Sequence, residues 1–293
     1  MTPSQTSPLI LITNDDGIDS PWLGLLAEEL RGVGEVIVSA PETEQSAVGN
    51  SISLNSIIRI TERGDGQFAV AGTPTDAVLL GMSEFCPRKP DLVVSGINPG
   101  PNLGTDVFYS GTVAGAIQGA IREVPGMAVS QELPGDGSAA VGRGPSGGIP
   151  EEQAARLPEL MANTAAFARD MARRLLASPL PPNTVLNLNG PACVATDYAW
   201  TRMGRRIYRE NILRRLDPRD RPYYWIGGPP IRGINPPGTD GHAVEGGLFS
   251  LTLLSLDLTA GGGEHRDWQQ RFEAPGEPWA QVEDVALEPG QPG

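Results

Sequence analysis

Apolar residues in the first half of the chain fall in short unbroken runs rather than in long alternation. Leu9 to Thr13, Glu35 to Ala40 and Asp91 to Ile97 each hold three or four consecutive apolar residues, bounded by Gly, Pro, Asn or Asp. Runs of that length read as strands buried on both faces. Gly126 to Ser130 and Thr184 to Leu188 read the same way. Between them lie helical segments with recognisable ends. Ser20-Pro21 predicts an N-cap with Pro in the first turn of a helix over 21–30, which Gly32 stops. Thr73-Pro74-Thr75-Asp76 predicts a capping box that opens a helix running to about Phe85. Gly111 to Ile121 is a small-residue helix, and Glu151 to Leu176 an Ala/Arg/Leu-rich one with Pro158 near its start. The first forty residues are thus β-α-β, which implies parallel strands and a right-handed crossover. The whole reads as a doubly wound α/β domain.

Other stretches are less regular. Ser51 to Ile60 alternates loosely, and is expected to meet Phe68 to Ala71 across Gly64-Asp65-Gly66 as a hairpin. In Leu133 to Pro150, nine of eighteen residues are Gly or Pro, so a flexible insert is expected. Residues 197–232 are Arg-rich, Leu248 to Leu258 alternates like a strand, and a Gly/Pro-rich acidic tail begins at Gly261.

Composition narrows the chemistry. The 293 residues carry 22 basic against 35 acidic side chains, a formal charge of −13. That balance argues against a nucleic-acid partner, since a phosphate backbone selects a basic surface. No run of about 18 apolar residues predicts a membrane span. The first residues lack a basic, apolar export signal, so a cytoplasmic location is expected. Two Cys and two His give no disulfide framework or zinc pattern. A metal site would have to use oxygen donors, which favours Mg²⁺, Mn²⁺ or Ca²⁺.

Asn14-Asp15-Asp16-Gly17 follows the first strand, at the carboxyl edge where open α/β sheets bind ligands. Two adjacent carboxylates there suit a divalent cation, although Asp-Gly is also a plain turn former. Three more polar segments follow predicted strands or open a helix: Pro41 to Gly49 with Gln45-Ser46, Asn98 to Gly104, and Ser110-Gly111-Thr112. The last resembles a phosphate cradle at a helix N-terminus, and an ordinary cap is its bland alternative. For Asn98 and Asn102 the bland alternative is loop geometry, since Asn tolerates left-handed backbone. The coincidence of four such segments after apolar strands favours a site.

These segments also carry a family resemblance. Leu9 to Gly17, Ala40-Pro41 with Gln45 to Gly49, Gly72 to Asp76, Ser95 to Asn98 with Asn102 to Gly104, and Tyr109 to Val113 resemble the SurE (survival protein E) metal-dependent nucleotidases, in order and near the family's spacing. The likeness is strong over about 9–130 and weaker through 184–259. It implies a Rossmann-like core at 1–190 that includes the insert 133–150. It also implies an extension at 191–260, built of hairpin and helix, that makes oligomer contacts in a homodimer or homotetramer, with the tail at 261–293. It implies one divalent cation per subunit, Mg²⁺ or Mn²⁺, held by Asp15, Asp16, Ser46 and Asn98. The implied reaction is hydrolysis of nucleoside 5′-monophosphates, with 3′-nucleotides and short polyphosphate as further substrates. In this reading Asp15 and Asp16 are catalytic, Asp15 orienting a metal-activated water or taking its proton, while Asn102, Ser110, Gly111 and Thr112 hold the phosphate.

The chain departs from the family pattern at Asn50, where many relatives have His, and at Pro99, where many have Arg or Lys. Eight Arg fall between Arg202 and Arg221; with Tyr223, Tyr224 and Trp225 following, they read better as a contact or solvated face than as a polyanion surface. No catalytic role is expected for His242 or His265, and Cys86 and Cys193 read as packing residues. The competing function is a nucleotide-binding protein without catalysis on the same fold.

Overall fold

The computed structural model describes residues 7–134, 151–207, 211–227 and 232–259. Within the compact unit that ends at Leu256, one nine-stranded sheet forms the middle layer. Its strands are β1 (Leu9–Thr13), β2 (Glu35–Pro41), β3 (Ile60–Gly64), β4 (Gln67–Val70), β5 (Leu92–Pro99), β6 (Gly126–Gln131), β7 (Thr184–Gly190), β8 (Tyr198–Thr201) and β13 (Phe249–Ser255). Their order is β3-β4-β2-β1-β5-β6-β7-β13-β8. The central strands are parallel, and the sheet turns antiparallel at β3/β4 and at β13/β7. The expected doubly wound, mostly parallel architecture is therefore present. The sheet also runs across residue 190: β8 and β13, from the segment assigned to the extension, complete its far side.

Helices cover both faces. α1 (Pro21–Arg31) packs against α4 (Glu151–Ala177), and α2 (Pro74–Leu80) against α3 (Gly111–Ile121). Strand alternation sorts the core accordingly. Ile10, Ile12, Val38, Leu92, Val94 and Met127 point to the α1/α4 side, whereas Leu9, Leu11, Ile37 and Val93 pack with Val78 of α2 on the other. Phe167 of α4 stacks on Phe249 of β13 with ring centroids 4.0 Å apart.

Local signals hold in most places. Thr73 Oγ1 accepts from Asp76 N while Asp76 Oδ2 accepts from Thr73 N, which is the expected capping box. Ser20 occupies the N-cap position of α1, but its side chain makes no cap hydrogen bond. The helix expected to reach Phe85 stays regular only to Leu80 and then widens into a π turn, Gly81–Phe85, closed by Cys86 N donating to Gly81 O. The expected strand at 51–60 is corrected: pairing begins only at Ile60. The turn at Gly64-Asp65-Gly66 fixes the register, and β4 has four residues, so it can pair only with 60–64. Residues 51–53 are held instead by α2, through Ser53 N on Asp76 Oδ1 and Thr73 Oγ1 on Ser51 O.

Beyond the sheet, the chain after residue 190 adds β9 (Arg205–Ile207) paired with β12 (Arg232–Ile234), a hairpin of β10 (Asn211–Leu216) and β11 (Pro222–Gly227), and α5 (Asp240–Glu245). Most of the insert expected at 133–150, and the tail from 261, lie outside the described residues. No helix among the described residues is long and apolar enough to cross a membrane.

Candidate metal and phosphate site

The chain leaves β1 to build β2 on one side and returns to build β5 on the other. The carboxyl ends of β1 and β5 therefore flank the point where strand order reverses, the usual ligand crevice of such sheets. Asn14-Asp15-Asp16-Gly17 begins there. Asn14 is fully buried and closes this turn on itself: Oδ1 accepts from Gly17 N at 3.2 Å and Nδ2 donates to Gly17 O at 3.0 Å. Gly17 has φ +102°, a backbone that favours glycine. Asn14 is thus the brace that presents the two carboxylates, a role its place in the motif did not by itself reveal.

Asp15 is only 6% exposed and sits against the N-terminus of α3. Thr112 Oγ1 donates to Asp15 Oδ1 at 2.6 Å. A Cβ on Gly111 would meet Asp15 Cβ at 2.7 Å and Oδ2 at 2.9 Å, so this approach requires glycine. Two further glycines, one and two turns on, repeat the device: a Cβ on Gly115 would lie 2.7 Å from Thr13 Cγ2, and one on Gly119 2.8 Å from Val93 Cβ. The stripe lets α3 ride directly on β1 and β5, which carries its positive end up to Asp15. Burial pushes the Asp15 carboxyl above the usual range and the nearby Glu44 charge adds to this, while the hydrogen bond from Thr112 opposes it.

Ser110 caps α3, its Oγ accepting from Val113 N at 3.0 Å. Asn102 is buried and anchored at four points: its Nδ2 donates to Ser130 Oγ, its N to Asn189 Oδ1, and its carbonyl accepts from Asn187 and Asn189. Asn187 and Asn189 of β7 were not singled out from the sequence; polar residues in an otherwise apolar strand were the signal. Asn98 is half-buried at the end of β5, Nδ2 donating to Gly100 O at 2.7 Å. It reaches this edge through a break in the β5/β6 register between Ser95 and Asn98. Ser46 is exposed on the loop after β2 and donates to Glu44 Oε1 at 2.8 Å. That loop is tied to the site by Gln45 N donating to Asp15 O at 2.7 Å.

Asp16 and Gly17 line a cleft of about 340 Å³ together with Asp19, Glu42 and Pro99. A hollow of about 370 Å³ lies at the opposite edge of the sheet, between Val124, Pro125, Leu180 and Pro181. The carboxylates of Asp15, Asp16, Asp19, Glu42 and Glu44 give the crevice a negative field. Among the described residues no cluster of three or more His, Cys, Asp or Glu is built to ligate a metal. An all-protein carboxylate or imidazole cage is therefore absent from them; the loops at this edge carry the Asp15 and Asp16 carboxylates, with the Ser46 hydroxyl turned to Glu44 and the Asn98 amide to Gly100. Hard oxygen donors around a buried carboxylate fit Mg²⁺ or Mn²⁺. Pro99 brings no positive charge to the cleft, and Asn50 is exposed.

Of the Arg-rich stretch, Arg206 pairs with Asp106 and Arg221 with Asp217, while Arg205, Arg214, Arg215 and Arg219 are exposed. His242 is exposed on α5. Cys86 lies partly buried beside the stacked Phe68 and Phe85.

Comparison with known proteins agrees with this fold. The family model described as survival protein SurE matches residues 10–210. A protein named 5′-nucleotidase SurE from Pelobacter propionicus is 43% identical over 253 residues, covering 85% of this chain and 94% of that protein. Its namesake from Geobacter sulfurreducens is 45% identical over 255 residues, covering 85% and 88%. The crystal structure of the SurE protein from Aquifex aeolicus superposes with a TM-score of 0.71 at 33% identity, covering 91% of this chain and all of that one. The chain belongs to the SurE family.

Proposed function

We propose that this chain is a metal-dependent 5′-nucleotidase that hydrolyses nucleoside 5′-monophosphates to nucleoside and phosphate. One observation carries the reading: a buried carboxylate, Asp15, is seated by Thr112 and Gly111 against a helix N-terminus at the switch point of the sheet. The names of the relatives, 5′-nucleotidase SurE, specify the reaction.

Asp15, Asp16, Ser46 and Asn98 are the residues proposed to hold one Mg²⁺ or Mn²⁺. Such a cation supplies the positive charge that phosphoryl transfer needs on the equatorial oxygens and acidifies water. The protein does the rest. Thr112 fixes the orientation of the Asp15 carboxylate, and Asp15 orients the attacking water or takes its proton, as the new P–O bond forms and the ester oxygen leaves on the nucleoside. Backbone amides of Gly111 and Thr112, at the positive end of α3, add to the field that an acidic chain must otherwise supply against its own charge. Ser110, by capping α3, and Asn102, by fixing the loop that leads to it, hold those donors toward the phosphate. The proposal includes a homodimer or homotetramer assembled through 191–260.

The test is release of phosphate from AMP and GMP by the purified full-length protein with Mn²⁺ or Mg²⁺, and after EDTA. Metal-dependent release supports the reading. Binding of nucleotide without release with either metal supports the non-catalytic alternative.

A further inference from the structure

One strong interaction has no part in the chemistry above. Arg206 Nε donates to Asp106 Oδ2 at 2.9 Å, with the two side chains only 12% and 10% exposed. Among the described residues it is the most buried ion pair. Burial of both charges costs desolvation that the attraction roughly offsets, so a role in stability alone explains it poorly. Its position explains it better. Arg206 stands on β9 of the extension, 100 residues from its partner. Asp106 lies in the 3-10 turn Gly104–Phe108, and its carbonyl accepts from Ser110 N at 3.1 Å. Ser110 is the cap of α3, and Thr112 in its first turn holds Asp15. Arg206 N also donates to Thr105 Oγ1 at 3.4 Å.

The two segments touch through backbone as well. A Cβ on Gly104 would meet Gly204 O at 2.7 Å. Asp240 Oδ2 accepts from Gly104 N and its Oδ1 from Gly204 N, each at 2.7 Å. The turn before α3 is therefore built against the extension, not only against the sheet. Backbone contact brings the segments together, and the ion pair ties the turn to β9 beside that contact.

We infer that Arg206 is a positioning residue of the metal site: its ion pair with Asp106 holds the turn that aims Ser110, and hence the N-terminus of α3, at Asp15. The inference rests on the metal reading given under Proposed function. It assigns part of the site's geometry to a residue outside the catalytic core, and makes the extension a component of the site.

Calorimetric titration of the full-length protein with Mn²⁺ alone tests it, alongside a melting curve for each variant. R206M keeps bulk and loses the charge, D106N keeps shape and loses the charge, and R206K restores it. Residues that orient metal ligands commonly cost about tenfold or more in affinity when replaced. R206M and D106N should each weaken Mn²⁺ binding by about that factor, with R206K recovering most of it. D106N carries the test if R206M does not fold. Variants that melt lower yet bind Mn²⁺ as the wild type does would overturn the inference while leaving the metal site intact. A wild-type chain that binds no Mn²⁺ would overturn the metal reading and this inference with it.

Discussion

Thr112 Oγ1 lies 2.6 Å from Asp15 Oδ1 and donates to it, across 97 residues of sequence. This contact joins the first strand's turn to the helix that follows the fifth, and it is made possible by Gly111, where any side chain would strike Asp15. The Thr112 hydroxyl therefore serves the carboxylate first.

Replacing Thr112 by Val removes the donor and keeps the shape. A hydrogen bond to a charged group contributes about 1.5–3 kcal/mol, so T112V should weaken Mn²⁺ binding by about tenfold or more. T112S, which keeps the hydroxyl, should stay near wild type. Isothermal titration with Mn²⁺ checks both; equal affinity in T112V and wild type would detach Thr112 from the site.

Asp15→Asn should abolish phosphatase activity in a folded protein. Stability adds a second, signed expectation. Burial raises the folded pKa of Asp15 above its ordinary 3.8. The unfolded chain therefore releases this proton first, and the metal-free protein loses stability as pH rises from about 4 through the raised value. The amide of the D15N variant does not titrate and has no such loss. Without metal, D15N should melt higher than wild type at pH 7, by on the order of 2–4 °C per kcal/mol in a domain of this size, and the gap should close toward pH 4. Mn²⁺ should raise the melting temperature of wild type only. A D15N protein that melts lower at pH 7 without metal would contradict the sign.

The glycine stripe of α3 predicts opposite outcomes for one substitution type. Gly115→Ala pushes a methyl into Thr13 and Ser95 and should cost about 1–3 kcal/mol, as overpacking does. Gly24→Ala in α1 meets nothing within 4 Å and should stabilise by about 0.5–1 kcal/mol. Urea unfolding of the two variants separates them.

The apolar runs of β1, β2 and β5 and the caps of α2 and α3 were legible because each rests on residues a few positions apart. The chemistry-bearing loops were legible for the same reason: Asp15 with Asp16, and Ser110 with Thr112, follow strand ends or open a helix. Ser51 to Ile60 misled because its alternation ignores how short β4 is, a limit set by a partner strand. Asn187 and Asn189 on Asn102, and Arg206 on Asp106, pair residues roughly 85–100 apart; two Asn in an apolar strand mark the positions, but no local pattern announces their partners. The Ser20 hydroxyl makes no cap hydrogen bond, and nothing in its surroundings explains that.

Cys86 gives a prediction independent of the site. Burial, with Glu35 nearby, pushes its thiol up to about 11 from 9.0. Only the thiolate is alkylated, so iodoacetamide labelling of Cys86, followed by mass spectrometry, should stay slow at about pH 8 and climb through about pH 10–11. Fast labelling at the lower pH would place the thiol in a different environment.

The proposed nucleotidase site centres on one cation at the carboxyl edge of β1 and β5. Anomalous diffraction from crystals of the full-length protein grown with Mn²⁺ locates it directly. The expected map has one strong peak in each subunit, within bonding distance of Asp15, Asp16, Ser46 and Asn98 oxygens. A map whose peaks avoid Asp15 and Asp16, or that has no peak at this edge, would contradict it.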